Sequence, residues 1–263
     1  APRGAMGIDA GDLDGDTRPD LVVGNFAQEM SALFRQRPGG IFVDDAAALG
    51  VGLPTLMTLT FGTLAVDLDG DGWLDLVFAN GHIEPEIERF QPLQTFAQPL
   101  TVFRNLSGTG FEPVKPETGS TWARPLVARG LAAGDLDGDG DPDLVISQNG
   151  GPAVVLRNDF EGGPYLRLRL EGRSSNRSAL GARIEVSLGD RVLERWVGSG
   201  RSYLSSSDKT LGVGLDGASA ADAVRITWPS GRVQDLAPGE RTAGGVHRIV
   251  EDSAEEAGGR TSP

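Results

Sequence analysis

The chain has 263 residues, of which 39% are hydrophobic and 23% charged, and it contains no cysteine. Such a composition can build one large or two modest globular domains, and it excludes disulfides, thiolate metal sites and a transmembrane helix of eighteen apolar residues. The formal net charge of −13 is uneven: residues 1–163 carry 24 acidic and 10 basic side chains, whereas residues 164–250 carry 9 and 13. Because the acidic part repels phosphate, the sequence predicts no nucleic-acid partner.

A nine-residue pattern, Asp-x-Asp-x-Asp-x-x-x-Asp, occurs three times and each copy leads directly into an apolar segment. The copies are Asp12, Asp14, Asp16 and Asp20; Asp67, Asp69, Asp71 and Asp75; and Asp135, Asp137, Asp139 and Asp143. Two like charges 4 Å apart repel by roughly 4 kcal/mol at an effective dielectric near 20. Loops that gather four carboxylates are therefore predicted to close around a cation.

The ligand chemistry of these loops indicates Ca²⁺, with about three ions in the chain. Carboxylate-rich sites without soft ligands suit hard ions rather than Zn²⁺ or Cu²⁺, and a flexible oxygen-rich loop matches the six to eight ligands of calcium better than the octahedral shell of Mg²⁺. A further ligand is predicted at position seven of each loop, where Arg18, Trp73 or Asp141 would supply its backbone carbonyl.

An EF-hand is the competing interpretation of the acidic pattern. It requires a glutamate at position twelve and flanking helices. Position twelve is occupied by Val23, Phe78 and Ile146, and the flanking runs are β-branched or aromatic, as in buried strands. The loops are therefore predicted to join two strands. Glycine at positions four and six supplies positive φ angles, except that Thr17 takes position six of the first loop, which we expect to be the most strained.

The predicted strands in chain order form three groups and then a separate β-rich part. The first group is 6–12, 21–25, 31–35 and 40–44; the second is 61–67, 76–80, 100–105 and 111–114, with an insertion at 82–98; the third is 130–135, 144–147 and 153–157. Each group is typical of a propeller blade. Strands at 165–170, 182–188, 191–197, 211–215, 223–228 and 232–236 then predict a small sandwich with Trp228 in its core, although 165–170 could instead complete blade three.

Two sets of motifs carry a family resemblance that spans roughly residues 5–250. The segment 134–144, Gly-Asp-Leu-Asp-Gly-Asp-Gly-Asp-Pro-Asp-Leu, and its two partners resemble FG-GAP/VCBS propeller repeats, including the calcium loops of integrin α-subunits. Two segments are similar to the ASPIC/UnbV domain of the cartilage acidic protein family and its bacterial relatives: 176–183 (Asn-Arg-Ser-Ala-Leu-Gly-Ala-Arg) and 228–231 (Trp-Pro-Ser-Gly). Residues 80–82 and 98–99, on either side of the insertion, also resemble that family. The run 210–214, Thr-Leu-Gly-Val-Gly, replaces a His-Phe-Gly-Leu-Gly run of relatives, so no role of that histidine is carried over.

The predicted fold is thus all-β: a partial propeller of three calcium-binding blades at 1–163, an ASPIC/UnbV-like sandwich at 164–252 and a disordered tail at 253–263. Propellers close with four to eight blades, since an open arc leaves apolar sheet faces in water. We therefore expect the remaining blades to come from a missing N-terminal part of a longer protein or from another chain or copy.

Material for catalysis is sparse. His82 beside Glu84, Glu86 and Glu88 could form an acid/base or metal site, but a loop histidine on a solvated acidic surface is the favoured interpretation. Arg195, Arg201 and Tyr203 could bind a carboxylate or a sugar, but an exposed strand edge is favoured there. Ser202–Ser207 is predicted to be a loop.

The leading functional hypothesis is a non-enzymatic, calcium-stabilised adhesion or assembly module with a protein or glycan partner. The resemblance implies a secreted, periplasmic or cell-surface location. Two alternatives stay open: a subunit of a larger complex that supplies an open propeller edge, and an enzyme or accessory protein in polysaccharide or secondary-metabolite processing.

Overall fold

The computed structural model describes residues 2–117, 119–160, 162–198 and 200–253. Of the tail that was predicted to be disordered, only Ser253 falls within these ranges. The described residues form eighteen strands in five sheets, with two helices of one turn each, α1 (Gly52–Thr55) and α2 (Ile87–Phe90). Neither helix is long or apolar enough to cross a membrane.

The first three sheets are antiparallel and keep the order of the chain. Sheet 1 contains β1 (Ala5–Gly11), β2 (Asp20–Asn25), β3 (Ala32–Arg37) and β4 (Ile41–Asp44); sheet 2 contains β5 (Thr60–Val66), β6 (Asp75–Asn80), β7 (Thr101–Asn105) and β8 (Phe111–Pro113); sheet 3 contains β9 (Ala128–Gly134), β10 (Asp143–Gln148) and β11 (Val154–Leu156). Each acidic loop connects the first two strands of its sheet, as predicted.

These three sheets pack face to face in sequence, because their strands alternate residues that point to opposite faces. The core between sheets 1 and 2 contains Val22, Leu33 and the edge-to-face pair Phe78 and Phe103, whose ring centroids are 5.7 Å apart. A second core, between sheets 2 and 3, forms around Val77 and its neighbours. No other sheet of the described residues covers the outer face of sheet 1, and Ile8 there is 50% exposed.

The C-terminal part contains two further sheets that enclose one core. Sheet 4 has the order β15 (Leu211–Gly214), β12 (Tyr165–Glu171), β18 (Val246–Val250), and sheet 5 has the order β14 (Arg191–Trp196), β13 (Arg183–Leu188), β16 (Ala223–Thr227), β17 (Val233–Asp235). Apolar side chains of both sheets belong to a single cluster that includes the buried Trp228. Strand β12 therefore belongs to the C-terminal part and not to blade three.

The all-β class is confirmed, and the five sheets form a propeller-type arrangement. The predicted division into three blades and a small sandwich differs from this arrangement in detail: sheets 1 to 3 follow one another along the chain, whereas the strands of sheets 4 and 5 alternate in sequence. The bounds and the partner of strand β18 were not predicted. This strand pairs in parallel with β12, some 80 residues earlier in the chain, so no local turn signal announces it.

A C-terminal segment, residues 201–208, lies against the first strands of sheets 1 to 3 and is here called the inner segment. The N–H of Ser202 donates to Ile8 O (3.1 Å), and the hydroxyl of Ser202 accepts the N–H of Thr63 (2.9 Å). The hydroxyls of Ser205 and Ser207 accept N–H groups of β9. Serine side chains thus satisfy strand-edge donors that face the middle of the arrangement.

A buried carboxylate joins the end of the chain to the turn after β12. Glu251 is fully buried, and its Oε2 accepts the backbone N–H groups of Arg173, Ser174 and Ser175 at 2.7–2.8 Å. The hydroxyls of Ser175 and Ser230 also contact its Oε1. This concave set of donors lowers the pKa of Glu251 to about 2, because hydrogen bonds to the ionised form outweigh its desolvation.

Candidate metal centres

Each acidic loop is shaped by its own backbone amides. The first aspartate accepts N–H groups from within the loop: Gly15 and Thr17 donate to Asp12 at 2.9 and 3.0 Å, and Gly70 and Gly72 donate to Asp67 at the same distances. Positions four and six adopt positive φ in all three loops. At position six Thr17 has φ +64°, which is costly for a β-branched residue, so the predicted strain in the first loop is present.

Three carboxylates converge in every loop. One oxygen from each of Asp12, Asp14 and Asp20 lies within 4.8 Å of the other two, and the same holds for the second triad and the third. The second triad is Asp67, Asp69 and Asp71, and the third is Asp135, Asp137 and Asp143. Asp16, Asp75 and Asp139 lie outside these groups, and a ligand role for them and for the carbonyls of Arg18, Trp73 and Asp141 stays a prediction.

The ninth position of each loop has a structural role that the sequence did not reveal. Asp20, Asp75 and Asp143 are buried, and each accepts one backbone N–H from position two of its own loop and one from the third strand region of its sheet. The second donors are Gln36, Asn105 and Asn158, at 2.8–2.9 Å. This aspartate therefore fastens the loop to the sheet whether or not it also contacts an ion.

An arginine reaches the third position of each loop from the equivalent place in its sheet. Arg35 pairs with Asp14, Arg104 with Asp69 (3.1 Å), and Arg157 with Asp137 (3.6 Å). Each arginine immediately precedes the residue that binds the ninth aspartate. These guanidinium groups offset part of the negative charge of the loops.

The second loop provides the sharpest test of whether the residues fit a cation. Asp69 is 8% exposed, and its Oδ1 is fully buried without a hydrogen-bond partner among the described residues. A buried carboxylate oxygen without a partner is costly unless a cation or a donor reaches it. The donor set of the loop is entirely oxygen, so the residues fit a hard ion such as Ca²⁺.

Burial and mutual repulsion shift the carboxyl groups of the loops. Desolvation, together with repulsion from neighbouring aspartates, raises the pKa of Asp20 and Asp75 to about 7 and that of Asp67 to about 6. Desolvation likewise raises the pKa of Asp12, Asp71 and Asp141. In a metal-free fold these groups favour their protonated forms.

These shifts predict how pH affects the metal-free protein. Below about pH 4 an aspartate is protonated in both states, but between pH 4 and 7 the unfolded chain ionises first and the folded chain binds more protons. The free energy of unfolding in chelator is therefore expected to fall by roughly 2–5 kcal/mol from pH 5 to pH 7.5. Ca²⁺ should remove most of this decline, because it binds the ionised forms.

Urea unfolding in EDTA and in Ca²⁺ at four pH values measures this difference. Glu251, whose pKa is lowered, loses its contribution only below about pH 4.5 and so does not interfere in that window. A metal-free protein that becomes more stable between pH 5 and 7.5 would show that the loop carboxyls do not oppose folding.

His82 does not lie on a solvated acidic surface, so the favoured interpretation is corrected. Its side chain is buried, its Nδ1 accepts the N–H of Glu84 (3.0 Å), and its ring lies edge-on to Phe26. Desolvation lowers its pKa. Glu84, Glu86 and Glu88 are exposed, and Glu86 pairs with Arg89, so the predicted acid cluster is not assembled around the ring.

Arg195, Arg201 and Tyr203 are not on an exposed strand edge either. Arg201 forms two hydrogen bonds to Asp9 (2.7 and 2.9 Å) and a third to Ala65 O. Arg195 is buried and donates to the carbonyl oxygen of Gly72 (2.8 Å). The ring of Tyr203 packs edge-on against Phe61, 4.9 Å between centroids. These residues join the C-terminal part to sheets 1 and 2, over sequence distances that leave no local signal.

Comparison with known proteins places these features in a family. The model of the FG-GAP-like repeat matches residues 12–78 and 67–146, so it covers all three acidic loops and more than half of the chain. The chain belongs to the FG-GAP repeat family. The model described as ASPIC and UnbV matches residues 172–256, which gives the FG-GAP protein a C-terminal ASPIC/UnbV domain.

Other comparisons add little to this assignment. Among solved structures, the crystal structure of an exotype rhamnogalacturonan lyase, YesX, aligns with 93% of the FG-GAP protein at 17% identity and a TM-score of 0.29. The chain spans about half the length of that lyase, 49%. The comparison with curated proteins gives no match.

Proposed function

We propose that this FG-GAP protein is a calcium-stabilised, non-catalytic binding or assembly module that works outside the cytoplasm. Sheets 1 to 3 act as propeller blades, residues 1–163, and sheets 4 and 5, which share one core, act as a sandwich domain, residues 164–252. Three Ca²⁺ ions hold the loops of the blades, with ligands drawn from the three aspartate triads.

The buried, unpartnered Oδ1 of Asp69 is the observation that carries this proposal. Asp69 lies in a triad with Asp67 and Asp71, and a bound cation would offset both the repulsion among these carboxylates and the missing hydrogen bond. Extracellular calcium modules bind with a Kd of about 10⁻⁴–10⁻³ M, which suits millimolar external calcium and not the resting cytosol. The proposed location follows from that affinity range and from the family.

Calcium removal is expected to lower the melting temperature by roughly 10 °C. At ten times the Kd each site adds about 1.4 kcal/mol by mass action, so three sites add about 4 kcal/mol, and 1 kcal/mol shifts the melting temperature of a chain this size by about 2–4 °C. Differential scanning calorimetry in 2 mM Ca²⁺ and in EDTA measures the shift. Mg²⁺ at the same concentration is the control, and a melting temperature that is equal in all three buffers would refute the proposal.

A second candidate function, a subunit of a larger assembly, is favoured by the open face of sheet 1. In sheet 2, one face packs on sheet 1 through Leu76, Phe78 and Phe103. The equivalent positions of sheet 1, counted from its acidic loop and its strand pairing, are Leu21, Val23 and Phe34. These three side chains of sheet 1 are only half-buried. This face therefore has the character of a blade that lacks its preceding neighbour.

Sedimentation velocity distinguishes the two candidates. An isolated chain that stays monomeric up to high micromolar concentration, and whose Phe34→Ser variant sediments in the same way, supports a module that works alone. Concentration-dependent association that this variant abolishes supports the assembly. The enzymatic alternative receives no support from His82, whose ring nitrogen is engaged with the backbone of Glu84.

A further inference from the structure

The second acidic loop, residues 67–75 and here called loop 2, is covered by the C-terminal part of the chain. Its backbone oxygens accept hydrogen bonds in succession: Gly163, the residue just before the C-terminal part, donates its N–H to Asp69 O (2.9 Å), and within that part Asp216 N–H donates to Gly70 O (3.0 Å) and Arg195 to Gly72 O (2.8 Å). Arg191 also donates to Asp71 O (3.2 Å), and the hydroxyl of Tyr165 donates to Asp67 O (3.2 Å).

At loop 2 the backbone packs closely against the backbone of the C-terminal part and the residue before it. A Cβ at Gly70 would lie 2.8 Å from the nitrogen of Gly163, and one at Gly72 would lie 2.8 Å from Leu193. At Gly138, which holds the place of Gly70 in the third loop, a Cβ would meet nothing within 4 Å. The conformation of loop 2 and the packing of the C-terminal sheets against it therefore depend on each other.

The carboxylate of Asp67 contacts both loop 2 and the C-terminal sheets. Asp67 belongs to the second aspartate triad, its Oδ1 accepts the N–H of Gly70, and its Oδ2 accepts the N–H groups of Gly72 and of Gly214 at the end of β15, each at 3.0 Å. Any group that fixes the orientation of this carboxylate also fixes the position of β15 against the blade.

The third loop meets the C-terminal part differently. Among the described residues its contact with that part is an ion pair, in which Arg167 of β12 reaches Asp135. The carboxylates of the first loop pair with Arg35 of sheet 1 and with Arg18 of the loop itself, and Asn105 of sheet 2 donates to Leu13 O (3.0 Å). Among the described residues, loop 2 thus has the largest share of contacts with the C-terminal sheets.

We propose that Ca²⁺ binding at loop 2 is thermodynamically coupled to the docking of the C-terminal sheets on the blades. Loop 2 is then a calcium-dependent joint between the two parts of the protein, whereas the first and third loops stabilise the blades. This inference rests on the proposed calcium binding and adds that the three sites have different structural roles.

Matched substitutions at position three of two loops test the joint. Asp69→Asn and Asp137→Asn each remove one ligand charge, in loop 2 and in the third loop respectively. Hydrogen exchange of the full chain, read by mass spectrometry, reports the amides of 201–208 and 211–216 with Ca²⁺ and with EDTA. We expect Ca²⁺ to slow exchange there about tenfold in the wild type and in Asp137→Asn, and to have no effect in Asp69→Asn.

Reciprocity gives an independent arm of the test. If calcium favours docking, then weaker docking must lower calcium affinity by the same factor. Arg191→Gln removes a donor to Asp71 O, and calorimetric titration with Ca²⁺ is expected to show one site weakened about fivefold and two unchanged. Arg225→Gln is the matched control, since Arg225 pairs with Asp235 within sheet 5, and all three affinities should stay as in the wild type.

The outcomes separate this inference from the proposed function. Suppose that the wild type binds Ca²⁺ but that Ca²⁺ slows exchange equally, or equally fails to slow it, in Asp69→Asn and Asp137→Asn. The coupling at loop 2 would then be refuted, and the proposed calcium-stabilised module would not be affected. Unchanged affinities in Arg191→Gln would overturn the coupling too. A wild-type chain that binds no Ca²⁺ would remove both proposals.

Discussion

Glu251→Gln is expected to lower the free energy of unfolding by about 3 kcal/mol at pH 7. The carboxylate is fully buried and its pKa of about 2, against 4.5 in an unfolded chain, measures how strongly the three backbone donors favour its charge. Glutamine keeps the volume but loses the charge, and its NH₂ group faces donors. Because the stabilisation is present above pH 4.5 and is lost as the pH falls toward 2, the difference between wild type and variant should shrink at pH 3.

Urea unfolding at pH 7 and pH 3 measures both parts of this expectation. Glu88→Gln is the control, because Glu88 is exposed and its replacement should change stability by less than about 0.5 kcal/mol. A Glu251→Gln variant as stable as the control at pH 7 would mean that the buried carboxylate does not hold the end of the chain in place.

Gly7→Ala is expected to destabilise the protein by about 2–3 kcal/mol. A Cβ at Gly7 would overlap the carbonyl oxygen of Phe61, because β1 and β5 approach closely at the contact of sheets 1 and 2. Gly62 and Gly130 stand at the same place, five residues before the first aspartate of their loops, and a Cβ at Gly62 would lie 2.7 Å from the Cβ of Leu131. Alanine therefore forces the two sheets apart, and overpacking of this kind costs roughly 1–3 kcal/mol or more.

Gly239→Ala provides the matched control for the same chemical change. A Cβ at Gly239 would meet nothing within 4 Å, so that variant should be neutral or gain up to about 1 kcal/mol from the reduced entropy of the unfolded chain. Thermal unfolding in saturating Ca²⁺ compares the two. Equal melting temperatures would show that the blades tolerate a wider spacing than the structure has.

Local sequence signals predicted most of the fold. The apolar runs after each acidic loop form β2, β6 and β10, because short continuous runs of β-branched or aromatic residues are typical of buried strands. The bounds and the partner of strand β18 were missed since that partner, β12, is distant in the chain and parallel to it. The two-sheet core around Trp228 was predicted in outline, but the number and order of the sheets depend on long-range pairing that periodicity does not encode.

The candidate site was predicted from its repeated spacing and not from its surroundings. The aspartates of the three triads were identified because they recur at a fixed spacing within nine residues, where their charges must repel one another. The arginines that reach them, such as Arg104, come from strands some 20–35 residues away. Arg195 meets Gly72 across 123 residues, and only the fold brings the two together. Contacts of this kind have no pattern in a single sequence.

Equilibrium dialysis against radioactive calcium tests the central claim most directly, because it counts the ions that the three loops bind. The account predicts three Ca²⁺ per chain in 2 mM Ca²⁺, two in Asp69→Asn, and retention of three in the Glu88→Gln control. A wild-type chain that binds no calcium under these conditions, while remaining folded, would contradict it.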